Sequence, residues 1–219
     1  MTIDNSKLIF YAPVNATDPA SSGYGGDINT TATQTTAVKN NEFTNVTNSQ
    51  RLSGLVDYRK QFLRNENDEA IEGMLVWISS NTPSTDDTID ICQAGTLSVL
   101  GATASCGVAT YYESATILTF QDLDTSAVRP GEWVYSVTFD ASMASAREVT
   151  AVATNKITIA SAFGSATTGD DVIAVCPATM FTYSAPATKG EAFEVGTIPA
   201  TTAMGVWKRR TVNAGSLGY

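Results

Sequence analysis

Residues 56–78 read VDYRKQFLRNENDEAIEGMLVWI, and this stretch decides the fold class. Val56, Tyr58 and Phe62 share one side of an extended chain, while Asp57, Arg59 and Gln61 fill the other. Such alternation predicts a half-buried strand. Asn65, Glu66, Asn67 and Asp68 follow, and side chains of this kind favour turns by bonding nearby backbone. Met74 to Ile78 is a continuous apolar run of strand length, expected as a strand buried on both faces. The stretch therefore reads as a hairpin at the heart of a β-sandwich, and nothing in it looks like catalytic chemistry.

Outward from the hairpin, no segment of helical period has any length. Lys7 to Ala12 predicts a first strand that stops at Pro13. From Asn15 to Gln34 the chain turns to Ala, Thr, Ser, Asn and Gly, too poor in apolar side chains to fold alone. Residues 12–34 are thus expected as an extended N-terminal arm that orders against a neighbouring subunit. Gly23, Gly25 and Gly26 lack the lysine and helix of a phosphate-cradling loop. The Asn-x-Ser/Thr triplets at Asn15, Asn29 and Asn45 are read as chance in a Thr-rich chain. Phe43 to Leu55 predicts a short helix or a loop over the hairpin, and Ile89 and Ile91 begin another strand.

Between Thr96 and Cys176 short strands follow at regular spacing. Glu132 to Phe139 alternates with Trp133, Tyr135, Val137 and Phe139 on one face, which implies that these aromatics face a core. Glu148–Ala153 and Lys156–Ala160 form a hairpin about Thr154 and Asn155, and Asp171–Val175 is a strand after a Gly169–Asp170 turn. This series predicts a small barrel or sandwich of its own. Phe193, Val195 and Ile198 then lead into Ala203 to Trp207 and three consecutive cations, Lys208, Arg209 and Arg210. The expected fold is all-β: an immunoglobulin-like or jelly-roll-like sandwich from residues 1–95 and 177–219, with an inserted small β-module at 96–176. Tyr58, Trp77 and Trp207 are expected in the sandwich core, Trp207 packing near Trp77.

Composition excludes several classes of function. The chain of 219 residues has a net charge of −9 and no histidine. Acidity of this kind opposes a nucleic-acid surface, which rests on clustered Lys and Arg. The absent imidazole removes the commonest general base and zinc ligand. Charged residues make up 16% of the chain, against roughly 25% in ordinary soluble domains. Cys92, Cys106 and Cys176 show no metal spacing and are read as buried thiols, with a Cys92–Cys176 or Cys92–Cys106 bridge as the alternative. Asp86, Asp87 and Asp90 match no calcium-loop pattern and are read as a solvated loop. No run approaches the ~20 apolar residues of a membrane span, and the N-terminus lacks a signal peptide's pattern, so synthesis in the cytoplasm is expected. No catalytic, cofactor or metal residues are assigned. Glu113, Asp122, Asp124 and Glu132 are the carboxylates an enzyme reading would need, and no motif links them.

The segment GLVDYRKQFLRNENDEAIEGMLVWIS, preceded by NNEFTNVTNSQRLSG, resembles a group of structural proteins of tailed-bacteriophage virions. Gly196 to Val212, ending VWKRRTV, resembles the closing strand of the same proteins, and Leu8–Tyr11 followed by Gly25–Ile28 fits their pattern. The resemblance covers roughly residues 7–92 and 190–215 and carries no active site. It implies a non-enzymatic virion component, built in many copies on the neck, tail or baseplate or as a head-decoration protein. Expected partners are further copies and other capsid or tail proteins, with no nucleic acid, membrane or cofactor. Neighbour contacts are expected from the arm, including Tyr24 and Ile28, and from Lys208, Arg209 and Arg210. The alternative is a carbohydrate-binding or host-adhesion module, for which Tyr111, Tyr112, Trp133 and Tyr135 are the available aromatics.

Overall fold

A computed structural model describes residues 3–17, 20, 22–34, 42–80, 86–101, 105–138, 146–163 and 171–215. Strands make up 52% of it and helix 7%, so the chain is all-β. It divides into two compact units. The first comprises residues 1–20, 28–93 and 182–219, and the second residues 21–27 and 94–181. Ser21–Asp27, placed in the arm by the sequence, thus belongs with the second unit.

The first unit is a sandwich. Its larger sheet runs in the order β2 (Gly25–Thr33), β1 (Leu8–Asn15), β3 (Leu55–Asn65), β13 (Ala203–Val212), β5 (Asp87–Ala94). At its centre β3 and β13 pair antiparallel over ten residues, from Leu55↔Val212 to Arg64↔Ala203. The smaller sheet holds β4 (Ile71–Val76) and β12 (Phe193–Ile198), paired antiparallel with register shifts around Gly196. Between the sheets Leu63, Met204, Val206 and Ile91 meet Met74, Val76, Phe193 and Val195. A short helix, α1 (Asn48–Ser53), starts with a capping box in which Thr47 and Gln50 each bond the other's backbone N–H. Both orphan donors are thereby satisfied. It ends at Gly54, whose φ of 80° suits glycine and whose Cβ position lies 3.3 Å from Val212 O.

The structure corrects four expectations in the sandwich. β3 and β4 are not a hairpin, because they lie in different sheets. Fully buried Asn65 makes the corner: its Nδ2 donates to the carbonyls of Glu69, Ile198 and Pro199, and its Oδ1 accepts from Asn67 N. The Met74–Ile78 run is only half-buried, and Trp77 is 39% exposed. β1 does not stop at Pro13 but continues to Asn15. Likewise much of the expected arm is strand, since Gly25–Thr33 forms the edge of the larger sheet.

The second unit contains a closed six-stranded barrel. Its order is β10 (Lys156–Ile159), β7 (Ile117–Phe120), β6 (Ser105–Ser114), β11 (Asp171–Val175), β8 (Trp133–Ser136), β9 (Arg147–Ala153). Neighbouring strands are antiparallel, and register shifts interrupt the β6–β7, β6–β11 and β9–β10 pairs. Bulges of this kind bend strands enough to close a small barrel. Gly107, at φ 133°, serves one such bend, because a Cβ there would meet Asp122 O at 2.6 Å. Leu118, Phe120, Val149, Ile157, Ile173 and Phe163 fill the interior. Residues 22–26 lie against 98–101 through Gly26 N to Ser98 O, Leu100 N to Tyr24 O and Gly101 N to Ser22 O.

β8 is inverted relative to expectation. Val134 and Ser136 are buried, whereas Trp133 is 38% exposed, Val137 is exposed and Tyr135 is half-buried. Alternation was legible, but the choice of face was not. Phe120 and Phe163 already supply the interior's bulk, so the small side chains of β8 turn inward. Phe139 and the Gly169–Asp170 turn lie outside the described residues.

Candidate functional site

The densest chemistry in the sandwich is on the β3–β13 pair, where register decides what each charge meets. Pairing sets Arg210 opposite Asp57, Lys208 opposite Arg59 and Arg209 opposite Tyr58. Because side chains alternate, Lys208 and Arg210 share a face with Asp57, Arg59 and Gln61, and Arg209 points the other way.

On the first face two guanidinium groups bracket one ring. Arg59 lies 5.4 Å and Arg210 4.7 Å from the centroid of buried Phe43. Asp57 joins them, accepting from Arg59 Nη1 and, at 3.1 Å, from Arg210 Nη2. Arg59 Nε donates to Glu42 O and Arg210 Nη1 to Thr44 O. Burial lowers the Arg210 pKa, and Asp57 opposes that shift. Beside this cluster Lys208 donates to both carboxylate oxygens of Glu42, at 2.7 and 2.6 Å, and to Gln61 Oε1. Glu42 to Thr44 are thus held down by the cations they cover.

On the opposite face Arg209 donates to Asp90 Oδ2 at 2.6 Å and lies 4.8 Å from the Tyr183 ring, which in turn meets Tyr58 edge-on. The bond to Asp90 raises the Arg209 pKa. Fully buried Lys60 lies on this face, its ammonium 5.1 Å from the Phe62 ring and 5.5 Å from that of Trp207. Trp207 is therefore on the face opposite Val206 and the inter-sheet core, away from the expected neighbourhood of Trp77. Lys208, Arg209 and Arg210 each hold an acidic partner within the sandwich, so a neighbour reaching them would compete with those pairs. Tyr24 is buried in the second unit, and Ile28 is half-buried on β2.

Next to the Glu42–Lys208 pair the sandwich opens into a cleft of about 580 Å³. Leu63, Val206 and Ile91 form its apolar floor, Phe10 and Phe43 border it, and Met74 to Ser80 contribute in unbroken succession. Its volume and apolar lining are those of ligand-binding clefts. The sequence pointed to the cations but missed Glu42, Phe43 and the cleft. Placing Asp57 and Arg59 opposite the Lys-Arg-Arg run would have found the charged cluster.

The barrel offers a different surface. Val108, Trp133, Tyr135 and Val137 lie on its outside, and Tyr111 is 60% exposed. Tyr112 instead donates to buried Asp171 at 2.7 Å. Of the carboxylates an enzyme would need, Glu113 is exposed and paired with Lys156, and Asp122 is exposed. Asp124 has its pKa lowered by hydrogen bonds from Ser126. Buried Glu132 accepts from Thr96 Oγ1 and Leu97 N. The three cysteines are buried free thiols, and burial pushes each up to about 12. Neither candidate disulfide bridge is present. Asp87 faces Arg51 and Asp90 bonds Arg209, and among the described residues no three potential metal ligands converge. No helix among them is long and apolar enough to cross a membrane.

Comparison with protein-family models, curated proteins and solved structures finds no match to this chain.

Proposed function

We propose that the chain is a non-enzymatic structural component of a tailed-phage virion, assembled in multiple copies at the neck, tail or baseplate or as a head-decoration protein. One observation carries this reading. The two stretches that resemble virion proteins are far apart in sequence, yet β3 and β13 within them pair residue by residue at the centre of one sheet. The barrel is inserted between them, an arrangement suited to presenting a module on an assembled surface. Inert, buried thiols and charges committed to internal pairs also suit a part that works by being rigid.

Negative-stain microscopy of purified particles, labelled with an antibody against the chain, tests the reading. Label over the head makes it a decoration protein, and label at the neck or tail end places it in the tail machinery. Intact particles that take no label anywhere sink the proposal.

A second reading, glycan binding by the barrel, gains from one specific finding: Trp133 and Tyr135 face outward beside exposed valines. Amphipathic aromatic faces of this kind stack on sugar rings. Glycan-array binding lost in Trp133→Ala would support it, and array silence from the intact chain would remove it.

A further inference from the structure

We infer that β2, the open edge of the larger sheet, is a seam between two copies of the chain, which pair β2 to β2 antiparallel about a two-fold axis at Thr31. The two edges of this sheet differ. At the far edge Ile91 exchanges both backbone bonds with Ser184, so β5 is covered there. At the near edge β2 pairs with β1 on its inner side, and among the described residues no strand pairs with its outer side. Toward its start β2 belongs to the second unit, where Gly26 N bonds Ser98 O, so the seam is residues 29–33. Gln34 sets the direction of the backbone groups, because its N–H donates to Phe10 O on β1. These groups alternate along a strand, so those of Thr30 and Ala32 also face β1, and those of Asn29, Thr31 and Thr33 face outward. The Thr31 N–H agrees: it donates to Asn29 Oδ1 of its own strand at 3.1 Å. The side chains of Thr30, Thr31 and Thr33 are exposed.

The sequence of this edge names its occupant. Exposed edges are ordinarily guarded by charge, proline or a bulge. Residues 28–33, INTTAT, carry neither charge nor proline. Their guard is the Asn29 side chain, which caps the N–H and hydroxyl of Thr31 and leaves by a side-chain rotation. An antiparallel pair of identical strands is isologous, each position meeting its counterpart about the centre. Centred on Thr31, the pairing sets Thr31 opposite Thr31 of the second copy and Asn29 opposite its Thr33. Residues in such pairs exchange both N–H···O bonds, so every outward group from Asn29 to Thr33 is used. The side chains that meet are short and uncharged, and threonine opposite threonine is a favourable cross-strand pair. A strand of unrelated sequence would match this register by chance, whereas a second copy matches it by symmetry.

The seam deepens the reading of a part assembled in many copies, yet the two fail separately, since dimers are measured in solution and labelling on particles. Sedimentation of the full chain should show a monomer–dimer equilibrium, and amide exchange at Asn29 and Thr33 should slow as protein concentration rises. Thr31→Pro removes an outward donor and no bond to β1, so the monomer should stay folded while the dimer weakens about tenfold or more. Thr31→Lys and Thr31→Glu each set like charges across the axis. Each should be monomeric alone, the two should pair when mixed, and high salt should narrow the difference. A chain that stays monomeric to near-millimolar concentration overturns the inference, as does failure of the mixture to pair. A dimer that survives both Thr31→Pro and Thr31→Lys overturns it too. So does protection of Asn29 and Thr33 that requires a different protein.

Discussion

The barrel and the sandwich bury side chains to similar depth but place their polar groups differently. Leu118, Val134, Val149, Ile157 and Ile173 show no exposure in the barrel, and its buried polar residues sit at strand margins. Asp171 opens β11, Glu132 precedes β8 and Ser136 ends it. In the sandwich, Arg59, Lys60 and Arg210 are buried within its two central strands. A barrel of this kind loses stability one methylene at a time. The sandwich, by contrast, depends on a network whose members fail together, because a buried charge without its partner costs more than the pair contributes.

The sharpest way to break that contrast is Asp57→Ala, which strips both Arg59 and Arg210 of their shared carboxylate. It should cost about 3–5 kcal/mol by the reasoning for broken buried pairs. Denaturant unfolding monitored separately in each unit should show the loss in the sandwich. A loss under about 1 kcal/mol, the range of exposed pairs, would mean water already screens the cluster. Replacing Asp57, Arg59 and Arg210 together by apolar residues of similar volume should recover most of the stability.

Ile157→Ala in the barrel should cost roughly 2–5 kcal/mol, set by the cavity that remains. The effect should stay within the barrel, which unit-resolved hydrogen exchange can establish. Spread into the sandwich would show that the two units unfold as one.

Alkaline pH probes both units through their thiols. The neutral form is favoured by burial, so its contribution is complete below the ordinary thiol value of 9.0 and is lost as pH rises toward about 12. Cys92 acts in the sandwich, with Tyr183 also raised by burial, while Cys106 and Cys176 act in the barrel. Substituting both barrel cysteines by alanine should flatten the alkaline response of Trp133 emission and leave that of Trp207 intact. At pH 8 the native thiols should resist aromatic disulfide reagents and react fully in denaturant. Rapid reaction of native Cys106 would contradict its burial.

The smallest effect belongs to Lys156→Ala. Its pair with Glu113 on the barrel surface leaves both side chains well exposed, so a change of at most about 1 kcal/mol is expected. Thermal unfolding in low and high salt would measure it.

Much of the fold was readable because short strands advertise themselves by alternation and turn residues. β9, β10 and β11 lie where the pattern put them. What alternation cannot carry is the partner. β3 and β4 looked like a hairpin because they are adjacent in sequence, and only Asn65's bonds to distant carbonyls reveal a corner between sheets. Lys60 holds a position the pattern allots to an apolar residue, because Phe62 and Trp207 supply aromatic faces for its ammonium. The cleft was invisible for the same reason: it is made of neighbours brought together by pairing, and no local motif marks it.

The residues that bond Asp57 to Arg210 are 153 positions apart in the chain. On a ribosome adding about 5–20 residues per second, β3 leaves the tunnel on the order of 10–30 s before β13 exists. During that interval β1 can cover one edge of β3, while Asp57 and Arg59 beside the other stay in water. The same charges that tie the finished sheet together therefore keep its half-built edge wet, and so guard a nascent strand against sticking to the wrong neighbour.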